Sequence, residues 1–309
     1  MKLPGEGADA PRSEAVGLRS ALADLATLTK PRIGTFVWYA GLVGGALAQP
    51  GAVDWWRCAE AGLWILLLGA GASAFNQVLE RDTDRRMERT AQRPLPAGRV
   101  RVRDALLFGA ALAGAGTLGL ALRFNVLAAL LGLATLVGYA LVYTPMKRVS
   151  SLNTVIGALP GAMPPLVGYA ALAGSVEGWA YWLFGLLFVW QFPHFMAIAW
   201  LWRHDYARAG LRMLPSTPEG ERQAGRQALV HGLLLLPIAI LPALHGQAGG
   251  LFAAVALALS MVYAGTAAAF AWRQTSVRAR VLLYTSLAYL PVVFALPLIR
   301  PLVDCYPFF

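Results

Sequence analysis

The chain has 309 residues, of which 58% are hydrophobic and only 14% charged, with a mean hydropathy of +0.56. That composition excludes an ordinary soluble domain and predicts an all-α, polytopic membrane helical bundle. The net charge of +10 does not mark a nucleic-acid binder, because the basic residues recur at alternate ends of the apolar runs and form no single patch.

Nine apolar runs are long enough to cross a bilayer, at about residues 33–49, 60–80, 104–121, 125–143, 153–172, 179–200, 228–244, 250–271 and 281–299. With the N-terminus in the cytoplasm, every Lys and Arg falls on the cytoplasmic side except Arg57, Arg123 and Arg300. The charge bias therefore predicts a cytoplasmic N-terminus and an outward C-terminus. Residues 1–32 read as a cytoplasmic segment, 33–300 as one transmembrane domain and 301–309 as a periplasmic tail.

Before the first run, Leu18, Leu22, Leu25 and Leu28 recur at helical spacing and predict an amphipathic helix on the membrane surface. Gly41 and Gly45 in the first run form a small-xxx-small pair that lets a neighbouring helix approach closely. The second run ends in NQVLERDTDRRMERTAQRPLPAG, residues 76–98. At roughly 100° per residue, Asn76, Gln77, Glu80 and Asp84 fall within about a third of the helix circumference. Asp82 lies on another side, as a solvated partner for the arginines. Two carboxylates and an amide carbonyl are hard oxygen donors that suit Mg²⁺, an ion that shares its shell with substrate phosphates. Arg81, Arg85, Arg86, Arg89 and Arg93 surround them, and Arg suits phosphate recognition. The same spacing also fits a helix end held by Glu–Arg pairs under a basic loop, and both readings stay open on spacing alone. Pro94, Pro96 and Gly98 hold that loop in turn geometry.

The third and fourth runs form a hairpin around Arg123. At the end of the fourth, YTPMKRVSSLN brings Tyr143, Lys147 and Arg148 together, either as a topology anchor or as cationic arms for a diphosphate. Pro160, Pro164 and Pro165 predict an interrupted fifth helix beside a cavity. In the sixth run, Gln191 and His194 stand in apolar surroundings, where polar groups are costly and mark candidate sites. His194 reads either as a ligand or substrate contact, or as a core histidine bonded to a carbonyl freed by Pro193. Asp205 lies about 16 Å further along a continuous helix, too far for one small ion to touch both, so the pair would line two ends of one large cavity. Cys58 and Cys305 fall on the outer side and read as unpaired thiols, with a disulfide between them the alternative that an oxidising periplasm permits.

Taken in order, these motifs resemble the UbiA superfamily of intramembrane aromatic prenyltransferases. N-Q-x-x-E-x-x-x-D from Asn76 to Asp84, followed by MERTAQRPLPAG, is similar to the superfamily's first acidic motif. YTPMKR at 143–148, GALPGAMPPLVGY at 157–169, and WQFPHF with DYARAGLRMLP within 190–215 are similar to the branch that farnesylates haem B. The resemblance runs from about Leu28 through Pro215. It implies a UbiA-type fold in a bacterial inner membrane, with the site facing the cytoplasm. Asn76, Glu80 and Asp84 would hold Mg²⁺ on farnesyl diphosphate, Lys147 and Arg148 would meet the diphosphate oxygens, and Asp205 takes the position nearest the second acidic motif. Arg81, Arg89, Arg93, Tyr143 and Tyr206 are expected around the substrates, with Gln191 and His194 orienting haem B. A haem A synthase is an expected further partner. Two departures stand out. Glu80 replaces the aspartate common in the superfamily, and His204, Asp205 and Tyr206 stand where quinone-type members carry several acids, which puts a second Mg²⁺ in doubt. A prenyltransferase with a quinone-precursor acceptor and a non-enzymatic transporter are the rival readings.

Overall fold

The computed structural model describes residues 10–216 and 220–299, with side chains from Arg19 onward and at Gly17. The Leu18 side chain, Arg300, Cys305 and the expected tail at 301–309 lie outside the described residues. Those described fold as helices without strands: α1 Ala10–Leu28, α2 Pro31–Leu47, α3 Trp55–Leu79, α4 Arg81–Asp84 and α5 Val102–Arg123. Next, α6 Val126–Val137 continues through a π-helical turn, Gly138–Tyr143, into α7 Thr144–Met146. There follow α8 Asn153–Ala173, α9 Trp179–Leu201, α10 Arg203–Arg208, α11 Gly220–Leu244, α12 Gly250–Trp272 and α13 Ser276–Ala295. Eight stretches are long and apolar enough to cross a membrane. The 17-residue α2 makes nine among the described residues, in register with the nine apolar runs.

The centre of the bundle is α8 and α9, each 67% buried, whereas the stretch Val126–Met146 is only 22% buried. On one side α2, α3 and α6 pack against α8, with α5 laid on α3 and α6; on the other, α11 and α13 pack against α9, with α12 laid on α11 and α13. The close approach falls at Gly41 and at Gly44, beside the expected Gly45: a Cβ on Gly168 of α8 would collide with the Gly41 carbonyl, and one on Gly44 with the Pro165 carbonyl, whereas one on Gly45 would meet the end of the Leu172 side chain. Only hydrogen at these positions lets the α2 and α8 backbones touch. This contact sets the wall against which the interior space opens.

Two expectations need correction. Pro160, Pro164 and Pro165 do not interrupt α8, which is helical from Asn153 to Ala173. Each proline removes one donor, whereas an unwound turn would leave several backbone groups without partners in an apolar medium. Likewise α9 runs through Pro193 and ends at Leu201, and Trp202 (φ −108°, ψ 18°) separates it from α10. The straight helix imagined between His194 and Asp205 therefore does not exist.

At the end of the bundle that carries α4, α1 is tied to the core. Leu28 is fully buried, the Gln77 amide donates to its carbonyl at 2.9 Å, and Arg99 clasps Asp24 at 3.0 Å. Lys30, next in the chain, adopts a left-handed backbone with φ +51°, alone among the described non-glycine residues. Pro31 follows at the start of α2. A lysine in this region is strained, which makes its side-chain contacts worth tracing. At the opposite end, Arg57 and Arg123 both pair with Glu60, at 3.0 and 2.6 Å, and Cys58 is a buried free thiol.

Candidate active site

The site grows from the end of α3. Leu79 is the last residue of α3 and α4 begins at Arg81, yet the hydrogen bonds run on across the joint, from Glu80 N to Asn76 O at 2.9 Å and from Asp84 N to Glu80 O at 2.7 Å. Asn76, Glu80 and Asp84 therefore keep the common face that helical spacing predicts, and all three are buried. Asp82 is exposed beside Arg81 and Arg85.

Each of the three buried groups meets a cation from a different part of the chain. Lys30 Nζ donates to Asn76 Oδ1 at 2.7 Å, Lys147 Nζ to Glu80 Oε1 at 2.7 Å, and Arg93 Nη1 to Asp84 Oδ2 at 2.8 Å. The amide of Asn76 donates in turn to Thr144 Oγ1 at 3.0 Å, which fixes its oxygen toward Lys30. Asp84 Oδ1 is enclosed and has no partner.

Burial works against the charges of Lys30, Glu80, Asp84 and Lys147. It lowers Lys30 to about 8 despite the pull of Glu80, and it raises the Asp84 carboxyl against the opposing effect of Arg93. For Glu80, burial is outweighed by Lys147 and Lys30, so its carboxyl is held below the usual range. Lys147 is correspondingly held well above its usual value: burial disfavours its charge, and Glu80 overcomes that.

Two connected cavities meet here. A polar one of about 220 Å³ is lined by Lys30, Glu80, Asp84, Arg89, Arg93 and Lys147. An apolar one of about 390 Å³ runs into the bundle past Tyr139, Gly157, Pro160, Gly161, Gln191 and His194. Lys30, Ile33, Tyr143 and Phe195 line both. The π-helical turn brings Tyr139 and Tyr143 together, their rings 5.5 Å apart, and such turns often occur at functional sites. Lys147 Nζ sits 4.5 Å from the Tyr143 ring centroid, within cation–π range.

The structure does not bring every expected residue into this space. Arg148 donates to the Leu79 carbonyl at 2.8 Å, capping α3, while Arg81 lies beside Asp82. Neither lines a cavity, and nor does Asn76, which is fully buried with its oxygen turned to Lys30. Asp205 is buried and bonded to Arg208, and its Oδ2 has no partner; it too lies off the cavity walls. Its neighbour Tyr206 does line the polar cavity, where its hydroxyl accepts from Arg89 at 3.5 Å. Arg89 also lies over the Trp202 ring at 5.5 Å. His194 bonds to Ser286 Oγ at 2.7 Å, not to a carbonyl freed by Pro193.

Sequence reasoning gave no site role to Lys30, Thr144 or Tyr139. Thr144 lies inside the YTPMKR motif, and Lys30 carries the signal of a cation placed directly before a helix-initiating proline. Tyr139 carried no signal, because a regular helical reading does not foresee the π turn that places it.

The donor set fits a hard divalent cation. Asp84 Oδ1 is a buried oxygen without a partner, and the carboxylate of Glu80 and the amide oxygen of Asn76 are also oxygen donors. Among the described residues no three His, Cys, Asp or Glu side chains gather into a closed cage. The remaining positions would fall to water and phosphate oxygens, as Mg²⁺ prefers.

Comparison with known proteins agrees with this geometry. The model of the UbiA prenyltransferase family matches residues 37–290. A protoheme IX farnesyltransferase from Solibacter usitatus (strain Ellin6076) is 41% identical over 290 residues, covering 91% of this chain and 99% of that protein. Among solved structures, a digeranylgeranylglyceryl phosphate synthase superposes with a TM-score of 0.74 at 16% identity, over 90% of this chain and 99% of that one. A UbiA homolog from Archaeoglobus fulgidus bound to GPP and Mg²⁺ superposes with a TM-score of 0.59 at 15% identity, over 88% and 98%. With nine apolar helices around a cavity headed by acids and cations, and a family match over most of its length, the chain belongs to the UbiA prenyltransferase family.

Proposed function

We propose that the protein transfers the farnesyl group of farnesyl diphosphate to a vinyl group of haem B, with addition of water, to give haem O. The observation that carries this reading is the junction of the two cavities. A charged head of a size for a diphosphate opens directly into an apolar chamber that can take a prenyl chain and a flat hydrophobic acceptor. The 41% identity to a protoheme IX farnesyltransferase supports haem B as that acceptor.

In this reading Lys147, Lys30, Arg93 and Arg89 receive the diphosphate, and Glu80, Asp84 and Asn76 hold Mg²⁺ against it. When bound, Mg²⁺ neutralises phosphate oxygens and favours departure of the leaving group. Binding replaces the cation contacts that the three buried groups now make. As the C1–O bond of the farnesyl diphosphate breaks, its electron pair leaves on the diphosphate, and the fixed cations stabilise that growing charge without having to reorganise. The allylic cation then lies near Tyr143, at the boundary of the two cavities, where lipid-facing helices exclude bulk water. A vinyl carbon of haem B bonds to C1, water adds to the adjoining carbon, and one proton is released.

The charge asymmetry of the loops supports an inner-membrane protein with the polar cavity facing the cytoplasm, residues 33–300 forming the transmembrane domain and Lys30 joining the site from the segment ahead of it. A haem A synthase fits as a downstream partner because the product is a membrane-bound haem. The test is direct: purified protein in lipid nanodiscs receives farnesyl diphosphate, Mg²⁺ and either haem B or 4-hydroxybenzoate, and the products are separated by chromatography. Haem O from the first mixture alone is the expected result. Prenylated 4-hydroxybenzoate would move the assignment to a quinone-type member, and no diphosphate release with either acceptor would remove the enzymatic reading.

A further inference from the structure

Among the polar side chains of the apolar cavity that the diphosphate chemistry does not use, two share one helix. Gln191 and His194 stand one turn apart on α9 and both line the cavity. The Gln191 amide nitrogen donates to the carbonyls of Ala158 and Leu187, at 3.1 Å each. Its oxygen therefore lies against Gly161, where a Cβ would collide with it.

His194 is held more tightly still. Its Nδ1 lies 2.7 Å from Ser286 Oγ on α13. The one proton of that hydroxyl goes to the Leu283 carbonyl at 2.5 Å, and a carbonyl can only accept. Ser286 Oγ must therefore accept from the imidazole, which places the ring proton on Nδ1. Nε2 is left with its lone pair, and no described residue donates to it. Trp190 stacks on the ring at 4.6 Å and 22°, and its indole nitrogen donates to the Ser286 carbonyl at 3.0 Å, so ring plane and tautomer are both set by α13. At this point of its wall the cavity thus offers electron pairs, from Nε2 and from the Gln191 oxygen. A Lewis acid finds a ligand.

We propose that His194 Nε2 coordinates the iron of the acceptor porphyrin and that Ser286 is the positioning residue that keeps this nitrogen unprotonated. A ligating histidine generally donates its other ring N–H to an acceptor in just this way. The proposal rests on the haem-farnesylation reading but concerns acceptor binding alone, so it can be tested with no farnesyl diphosphate present. Coordination fixes the porphyrin in the apolar cavity before the prenyl donor ionises.

The experiment is resonance Raman spectroscopy of the nanodisc-embedded protein loaded with haem B and reduced to the ferrous state. Wild type should show an iron–histidine stretching band. His194→Gly should lose it, and added imidazole should restore it together with part of the haem O formation. Ser286→Ala keeps the ligand but removes the acceptor on Nδ1, so the band should shift, which a merely space-filling role for Ser286 would not produce. Glu80→Gln should keep the band unshifted while losing farnesyl transfer. An iron–histidine band that survives in His194→Gly, or an unshifted band in Ser286→Ala, overturns the assignment even if haem O is made. A normal band in a wild type that forms no haem O leaves the coordination standing and removes the function.

Discussion

Asp84→Asn separates a residue kept for binding from one kept for folding. Asp84 is a buried carboxylate with one oxygen on Arg93 and the other unpartnered, and burial already pushes its carboxyl toward the neutral form. Losing the charge weakens a charge-assisted bond worth about 1.5–3 kcal/mol, while a neutral amide in the same enclosed place escapes the desolvation penalty of comparable size that burial imposes on the carboxylate. The two nearly cancel, so the substitution should change the stability of the metal-free protein by no more than about 1 kcal/mol. Function responds differently. With Mg²⁺ and inorganic pyrophosphate at 100 times their dissociation constant, a ligand that binds only the folded state adds about 2.7 kcal/mol. Thermal unfolding followed by intrinsic fluorescence should show that upward shift in Tm for wild type and lose most of it in Asp84→Asn. Haem O formation should fall by about a hundredfold or more, as expected when charge stabilisation at a leaving group is removed. A variant with turnover within threefold of wild type, or with the full shift induced by Mg²⁺ and pyrophosphate, would refute the metal-binding role.

Other substitutions test neighbouring parts of the site. Lys147→Ala should reduce kcat by about 10²–10³-fold, whereas Arg148→Ala, which removes only the cap on Leu79, should cost less than about threefold; equal losses would show that Arg148 also reaches the substrate. Gly161→Ala should displace the Gln191 side chain and raise the KM for haem B while leaving that for farnesyl diphosphate near its wild-type value, as read in steady-state assays varying each substrate. Gly168→Leu should prevent the α2 and α8 backbones from touching, seen as a loss of monodisperse protein in size-exclusion chromatography. Normal folding of that variant would show that the crossing tolerates a side chain.

Much of this architecture is legible in residue order because the bilayer demands long apolar runs, and the nine runs match the nine helices. The face shared by Asn76, Glu80 and Asp84 also survives, since hydrogen bonding continues through the joint at Glu80 even though the backbone bends there. What sequence spacing could not supply is the partner of each group. Lys30 and Arg93 reach Asn76 and Asp84 from distant or irregular segments, and their pairing depends on packing between helices that periodicity does not describe. Arg148 shows the converse: adjacent to Lys147 in sequence, it points along a different direction and caps a helix. The prolines of α8 misled for a physical reason, because in an apolar environment a helix with missing donors is cheaper to bury than an open turn.

Lys30 links α1, which its leucine spacing assigns to the membrane surface, to the proposed diphosphate site. Leu28 is locked under the Gln77 amide, and two residues later the strained lysine reaches Asn76. Any displacement of α1, whether by a purification handle fused ahead of it or by a change in lipid charge beneath it, therefore pulls on a lever whose short arm ends in the diphosphate pocket. Affinity tags for biochemical work belong on the other terminus, and headgroup composition becomes a variable that belongs in every assay of this enzyme.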